Sequence, residues 1–541
     1  MSRPASSSVP PSGDAAPFYE VAIIGCGPVG AMAANLLGAA GLQVVVLEQE
    51  RDPHPLPRAV HLDHEMMRIF QGAGLVDRLR PLMRETQGHL HIGADGGVIR
   101  YMGTAGQARR FGWANDYFFY QPELEAQLRG ALDRFAGVDL RLGARLESLT
   151  QDEDSVALAL ADGQTLRARW VIACDGARSA VRKSLGVRLD DLRFEEPWLV
   201  VDAEVDGPIS FPPIPGLPAG ADLQQLSVML CDPRRPTTIV PGRGDHRRWE
   251  FMLLPGEDDQ AMMRPEAVEA LIAPWVAGST YRLVRAATYR FHGLVAERWR
   301  VGRVFLAGDA AHQTPPFFGQ GMCHGLRDVA NLAWKLPLVV GGLADQTLLD
   351  TYQPERDPHV RGVIGAAVAA GRYICELDPA KAAERDARMR QAMAASVPGA
   401  TAADLIPAYQ AGVVRPGCGE RFIHPRVGAQ RLLLDEVLGR GFCVIAREPL
   451  AATPALTAFA EWADWAALGG RVHVLGRDLD DADGALAAWL DARDAAAVLL
   501  RPDRYVYGLA KAPADLPALI DQLRADLSLT LAARVETPCP A

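Results

Sequence analysis

The sequence predicts an α/β protein: a Rossmann-like nucleotide-binding domain, interrupted by a mostly antiparallel sheet and followed by a second, small α/β domain. Three observations predict it. Residues 21–50, VAIIGCGPVGAMAANLLGAAGLQVVVLEQE, run from an apolar strand through a glycine turn and a helix of small residues into a second strand. Two later apolar strands each end at an acid beside a glycine, Asp175-Gly176 and Gly308-Asp309. Strand-like segments broken by Pro/Gly turns fill 188–300, and alternating strand and helix patterns return after residue 425. Strands alternating with helices indicate βαβ units, whereas strands in succession indicate an antiparallel sheet.

Each part of the opening unit has a physical reason. Gly25 permits the tight turn, Gly27 lets a pyrophosphate approach the backbone, and Gly30 lets helix and strand pack closely. Pro28 and Val29 start a helix whose free N–H groups and partial positive charge favour phosphate. Glu48, followed by Gln49, ends the second strand about where an acid accepts ribose hydroxyls. These residues are candidate cofactor contacts; the motif alone leaves NAD and FAD both open.

A proline-rich connector, 51–57, leads to Arg58, a candidate phosphate or ribose contact and equally a solvated surface arginine. His61, Asp63 and His64 cluster next, and Asp63 also suits the N-cap of an amphipathic helix over 65–80, interrupted near its end by Gly72 and Gly74. Residues 88–104 read as a small sheet of their own. Gln121 opens a helix with Pro122 in its first turn, where a missing N–H costs least. A strand at 138–142 and a hairpin around Asp162-Gly163 precede the strand that stops at Asp175-Gly176, with a helix over 179–185 after it. Ligands of open α/β sheets bind at the carboxyl ends of strands, so Asp175 lies at a site edge.

The inserted sheet is read at 198–205, 226–231, 237–240, 248–254 and 281–291, and forms one wall of a substrate pocket. The first domain then returns with Gly308-Asp309 and a glycine-rich loop, Gly319-Gln320-Gly321-Met322, entering a helix to about residue 338. The loop's N–H groups and the helix dipole would stabilise negative charge there. Residues 372–420 read as helical with breaks at Pro398-Gly399 and Pro416-Gly417. Strands at 430–434, 441–445, 472–475 and 496–500 alternate with helices at 455–467 and 483–492, and a last helix covers 516–527. The expected divisions are a disordered leader at 1–17, a nucleotide domain at 18–187 and 301–420, the sheet domain at 188–300, and a C-terminal domain at 425–541.

A formal charge of −10 argues against non-specific nucleic-acid binding. Eight scattered cysteines show neither a CxxC pair nor zinc-like spacing, so no metal is expected and the thiols read as reduced and cytosolic. No run is long and apolar enough to span a bilayer. A cytoplasmic enzyme is the expectation, without a nucleic-acid or membrane partner and either monomeric or homodimeric.

GCGPVG with Glu48, CDGARS at 174–179, and GDAAH with PPFFGQGM at 308–322 occur in order. Together they resemble the class A flavoprotein monooxygenases, the para-hydroxybenzoate hydroxylase-like aromatic hydroxylases. RAVHLDHEMMRIFQ, CDPRRPTTIVPG, RRWEFMLLP, GQGMCHGLRDVANLAWKL and LLDTYQPERDPHV further resemble the 3-(3-hydroxyphenyl)propionate hydroxylase branch, which carries a C-terminal thioredoxin-like domain. The resemblance implies FAD held by the three motifs, with Asp309 at the ribityl or ribose region and Arg58 and Gln121 also on FAD. It implies NADH or NADPH as reductant and O2 as the source of an oxygen atom placed on a phenol to give a catechol. A tailoring hydroxylase of a polycyclic polyketide phenol is the alternative enzyme, and a non-catalytic flavin-binding interaction protein the alternative of another class.

In that family the loop at 319–322 would stabilise the reduced flavin, and Pro315 would sit over the reacting ring. A phenol of pKa about 10 must be pushed toward phenolate; His61, Asp63, Tyr289 and His292 are the candidates to assist. If the substrate carries an acid tail, Arg243 or Arg248 would pair with it, with Pro316 beside it. On a strand Arg248 and Glu250 share a face, so Glu250 is an equal candidate to neutralise Arg248.

Overall fold

The computed structural model describes residues 16–104, 109–395, 406–447 and 463–529. Nearly all of the predicted leader, the break at Pro398-Gly399 and most of the predicted 455–467 helix lie outside these residues; its last turn is the helix Ala463–Ala467.

The first sheet orders Val138–Leu142, Val44–Glu48, Phe18–Ile24, Thr165–Ala173, Val304–Leu306 and Arg300–Val301 side by side. The first five run parallel and the last antiparallel. The Val156–Leu160 hairpin strand pairs with Thr165–Ala173 and extends the sheet through Leu146–Gln151. Val21–Ile24 and Val44–Leu47 are buried along their length, as unbroken apolar strands covered on both faces must be. Backbone bonds then tie their ends together: Gly25 donates to Leu47, Cys174 to Ile24 and Ala307 to Ala173. Three motifs far apart in sequence therefore meet at one edge of one sheet.

The second sheet has eight strands in the order His312–Gln313, Tyr281–Ala296, Leu189–Val205, His246–Met252, Thr237–Val240, Leu226–Leu230, Gly88–Ile92 and Val98–Gly103. All pairs are antiparallel except Leu226–Leu230 with Gly88–Ile92. Residues 88–104 thus do not form a separate small sheet. They complete the inserted one, because Leu90 and Ile92 bury with Leu226 and Val228 on one face. A three-stranded sheet of His61–Asp63, Asp116–Phe119 and Met83–Thr86 lies apart from both.

The helix predicted over 65–80 is His64–Gly72, and Val76–Leu79 follows the break at Gly74, which takes φ +68. Helix Tyr352–Ile374 has no counterpart in the sequence reading, where Pro358 inside it hides the period. Among the described residues of 372–420, the end of helix Tyr352–Ile374 and Pro379–Ala395 are helical and 406–420 is irregular. Among the described residues no helix is long and apolar enough to cross a membrane.

The C-terminal sheet orders Arg471–Val474, Cys443–Ala446, Ala497–Leu500 and Val506–Ala510, with the first pair parallel and the others antiparallel. With helices Ala463–Ala467, Ala485–Asp491 and Leu516–Asp526 this is the β-α-β-α-β-β-α order of a thioredoxin-like unit. The predicted strand at 430–434 shrinks to Leu432–Leu433, paired outside this sheet, and Val506–Ala510 takes the edge instead. Cys443 is buried in the central strand, and burial pushes its thiol up to about 12, the opposite of the exposed, low-pKa setting that makes a thiol reactive.

Candidate active site

The nucleotide end is built from glycines whose roles differ. A Cβ at Gly30 would stand 1.9 Å from the Gly25 carbonyl oxygen, and one at Gly25, itself at φ +92, would meet Cys174 O at 2.6 Å. Those two glycines serve the strand–turn–helix packing. A Cβ at Gly27, Gly176 or Gly321 would meet no protein atom within 4 Å, yet all three line one cavity. Packing within the chain does not require them; Gly176 is favoured by its φ of +78, whereas Gly27 and Gly321 leave the backbone open to close approach by a ligand. Helices Pro28–Ala39 and Gly321–Val340 both begin with no side-chain cap, leaving their first N–H groups to face an anion. The donors, glycines and acids present fit the pyrophosphate and ribose of a flavin dinucleotide.

Around this cradle most expected contacts serve the protein as well. Glu48 accepts from the N–H groups of Cys26 at 2.7 Å and Glu50 at 2.9 Å, while Gln49 is exposed outside the cavity. Gln121 accepts from the N–H groups of Arg58 at 3.1 Å and Ala59 at 2.7 Å, fixing the segment that carries Arg58 into the cavity wall. Asp175 spends one oxygen capping Val181 N–H and buries the other without a protein partner. Gln320 does not face the cavity; its side chain accepts from Arg327 at 3.0 Å, while Gly319, Gly321 and Met322 do line it. Gly308 N–H is held by Asp328 at 3.0 Å, which also takes His312 and Arg356, so Asp309 is presented to the cavity on a fixed turn.

Asp309 makes no hydrogen bond to the described protein that would explain its place, and an acid aimed at ligand hydroxyls leaves them unpaired when removed. Asp309→Ala is expected to weaken FAD retention by about tenfold, read as flavin absorbance per protein after desalting. Unchanged retention removes Asp309 from the cofactor site.

Beyond the cradle the cavity, about 380 Å³, runs onto one face of the second sheet. Register sets that face. Thr238, Glu250 and Val200 stand in one cross-strand row, and Val240, Arg248, Asp202 and Arg285 in the next. His89 and Ser227 pair on the neighbouring strands. Tyr289, Phe291 and His292 close the far wall, and His61 lies against the Gly319 loop.

The expected chemical residues divide accordingly. His61, Tyr289 and His292 line the cavity. Asp63 does not: one oxygen caps Glu65 N–H and the other takes the buried Arg327. Pro316 lines the cavity, whereas Pro315, immediately before the short turn Pro316–Phe318, does not. Arg243 lies outside, paired to Glu123 at 3.1 Å. Arg248 reaches the wall but is spent. It grips both oxygens of buried Asp202 at 2.8 and 3.1 Å and donates to the carbonyls of Arg58 and Pro57. Its partner is Asp202, not Glu250.

Three residues that the sequence reading passed over, His89, Thr238 and Arg285, complete the site together with Glu250, which the sequence offered only as a partner for Arg248. Both ring nitrogens of His89, the Thr238 hydroxyl and Arg285 Nε are buried without protein partners. Burial pushes the Glu250 carboxyl up to about 7 and, with lesser help from neighbouring cations, lowers His89 to about 4. Unpaired polar groups converging on one apolar cavity, with titrating groups shifted there, mark a ligand site rather than a core.

The comparisons agree with this geometry. A family model described as an FAD binding domain matches residues 18–367, and one described as the HcaD C-terminal domain matches 419–526. A probable NADH-specific resorcinol 4-hydroxylase of Rhodococcus jostii (strain RHA1) is 35% identical over 96% of this chain and 97% of its own. A 3-(3-hydroxy-phenyl)propionate/3-hydroxycinnamic acid hydroxylase of Burkholderia cenocepacia (strain HI2424) is 37% identical over 90% and 93%. The solved flavin-dependent monooxygenase PieE, in complex with FAD and substrate, shares the fold, with TM-score 0.77 at 24% identity over 95% of this chain and 100% of that one. With a family model spanning most of the chain and relatives aligned along nearly all of it, the chain belongs to the FAD-binding-domain family of flavin-dependent aromatic hydroxylases.

Proposed function

We propose that the protein hydroxylates a single-ring phenol bearing a short acid tail, of the 3-(3-hydroxyphenyl)propionate type, to a catechol at the expense of NADH and O2. FAD, when bound, supplies the oxygen activation; the chain's residues bind and orient the phenol and keep water out. The substrates named for the two relatives are single rings, which favours one ring over the polycyclic phenols of the alternative reading. A monomer or homodimer in the cytoplasm, without nucleic-acid or membrane partner, suits the net charge of −10.

The observation that carries the acid tail is Arg285. Its guanidinium is buried on the cavity wall, donates through Nη1 to the Pro57 carbonyl, and stands 4.8 Å from the Tyr289 ring centre and 3.8 Å from Asp202, with Nε unmatched. Asp202 already serves Arg248, and Glu250 is half neutralised near pH 7 by burial. Two guanidiniums therefore face one fully ionised carboxylate, and a substrate carboxylate would restore the balance.

A charge-assisted pair of this kind contributes about 1.5–3 kcal/mol, roughly ten- to hundred-fold in affinity. Arg285→Met is expected to raise KM for 3-(3-hydroxyphenyl)propionate by that factor while sparing resorcinol. Equal losses on both substrates would make Arg285 structural, and wild-type protein that acts on resorcinol but not the acid would remove the acid tail.

A further inference from the structure

His89, Asp116 and His61 form a buried cluster at the cavity end nearest the Gly319 loop. His61 Nε2 bonds Asp116 Oδ1 at 2.8 Å, and its Nδ1 lies 3.5 Å from the Gly319 carbonyl oxygen. Both of its nitrogens therefore face acceptors. Burial alone would lower His61, but the hydrogen bond and charge of Asp116 outweigh it and raise the imidazole. Asp116 and His61 thus engage each other. His89 differs. It is 3% exposed, lines the cavity, packs edge-on to His61 with ring centres 5.5 Å apart, and has no partner at either nitrogen. One of its nitrogens lies within 4.8 Å of Asp116 and His61 polar atoms. The other charged group near it is Arg100 of the adjacent strand, while His91 on its own strand is bonded to Tyr373.

We propose that His89, backed by the His61–Asp116 pair, is the catalytic base that accepts the proton of the phenolic hydroxyl. The inference rests on the reading of the cavity as a phenol hydroxylase site. A neutral imidazole offers one acceptor and one donor, so it can take a hydroxyl proton where His61 cannot. As the ring carbon ortho to the hydroxyl bonds a hydroxyl oxygen of the donor made from O2 and NADH through a ring π pair, the donor's O–O bond breaks. The donor's remaining oxygen leaves with the bond pair, to be released as water, and the phenolic O–H bond breaks. Its electron pair becomes the C=O of a dienone, and the proton moves to His89. Loss of the ring C–H proton then restores aromaticity, and His89 returns its proton to the carbonyl oxygen, leaving a catechol and a neutral imidazole. Asp116 stabilises the imidazolium while it lasts.

The test uses holoenzyme, a phenol that wild type hydroxylates, and product formation from pH 6 to 10. His89→Gln is expected to keep its FAD and its phenol-induced flavin spectrum, but to lose about 100-fold in kcat at pH 7. Activity should return as pH approaches the phenol's own pKa of about 10, and the loss should shrink with a fluorinated, more acidic phenol. Should His89→Gln lose its FAD, His89→Ala rescued by added imidazole provides the same reading. Asp116→Asn should shift the profile in the same direction by less. A wild-type pH profile in folded His89→Gln, or failure of imidazole to rescue His89→Ala, overturns the assignment. So does a stoichiometric divalent ion that His89→Gln loses. If wild type makes a catechol from no phenol, the underlying reading fails too, and that outcome is seen in wild type alone.

Discussion

Arg248→Met is expected to cost the protein its FAD and its activity toward acid-tailed and neutral phenols alike, rather than to raise one Michaelis constant. Arg248 is the pin between two parts of the fold. Its Nε and Nη2 hold Asp202, which is 0% exposed, and its Nη1 and Nη2 hold the carbonyls of Arg58 and Pro57. Removing the guanidinium leaves a buried carboxylate with His246 and the more distant Arg285, and it loosens the loop that Gln121 fixes from its other side, leaving there only the bond from Arg285 to the Pro57 carbonyl among the two arginines' contacts. Breaking a buried pair from one partner costs about 3–5 kcal/mol, which for a domain of several hundred residues is a fall of about 5 °C in Tm. The loop that is loosened lines the cofactor cavity, so flavin should be lost with stability. Flavin-to-protein absorbance and a thermal melt read both. Retained FAD with KM raised only for the acid would restore Arg248 as the substrate clamp and remove Arg285 from that role.

That distinction shows what the sequence carries. The Gly25–Gly30 turn, its two strands and Glu48 were legible because each residue's reason is local: a left-handed turn, a close approach, an unbroken apolar strand. The alternation of side chains on a strand likewise placed Arg248 and Glu250 on one face, and both line the cavity. It could not say that Asp202, on the next strand, would take the arginine, because that depends on a register pairing residues far apart in sequence. His89 was hidden for the same reason. It enters the site only because Gly88–Ile92 joins the inserted sheet through a parallel pairing with Leu226–Leu230, where the sequence suggested a separate small sheet. Asp63 was visible as both cap and candidate base, and Arg327, from a helix distant in the chain, decides for the cap.

Arg327→Met is expected to be still more damaging and to reverse the protein's response to mild acid. Arg327 is 2% exposed and serves three partners: Glu65 at 2.7 Å, Gln320 Oε1 at 3.0 Å, and Asp63. Glu65 in turn accepts Tyr505 Oη at 2.7 Å from the C-terminal sheet unit. One guanidinium thus joins the strand end behind His61, the turn that begins the Gly321–Val340 helix, and the C-terminal unit. Burial alone would raise Asp63 and Glu65, but Arg327, with lesser help from Arg421 and neighbouring hydrogen bonds, outweighs it and holds both below the usual carboxylate range. Folded pKa values below unfolded ones of about 4 mean that this stabilisation is complete above pH 5 and is lost as pH falls through the folded values. In the variant the sign turns. Arg421, 3.7 Å from Glu65, the Tyr505 hydroxyl on Glu65, and His64 beside Asp63, whose imidazole burial lowers to about 4, remain near two buried carboxylates, so burial dominates and lifts them above their unfolded values. Protonating them then favours the folded state, and the variant should gain stability between pH 7 and pH 5, where wild type is flat or losing it. The loss at pH 7 should be about 3–5 kcal/mol or more, with weakened FAD binding through the displaced Gln320 turn. Melts of both proteins at pH 7, 6 and 5 decide it. Parallel pH curves would show that Asp63 and Glu65 do not depend on Arg327 for their charge, and that the link from the C-terminal unit to the cofactor loop runs elsewhere.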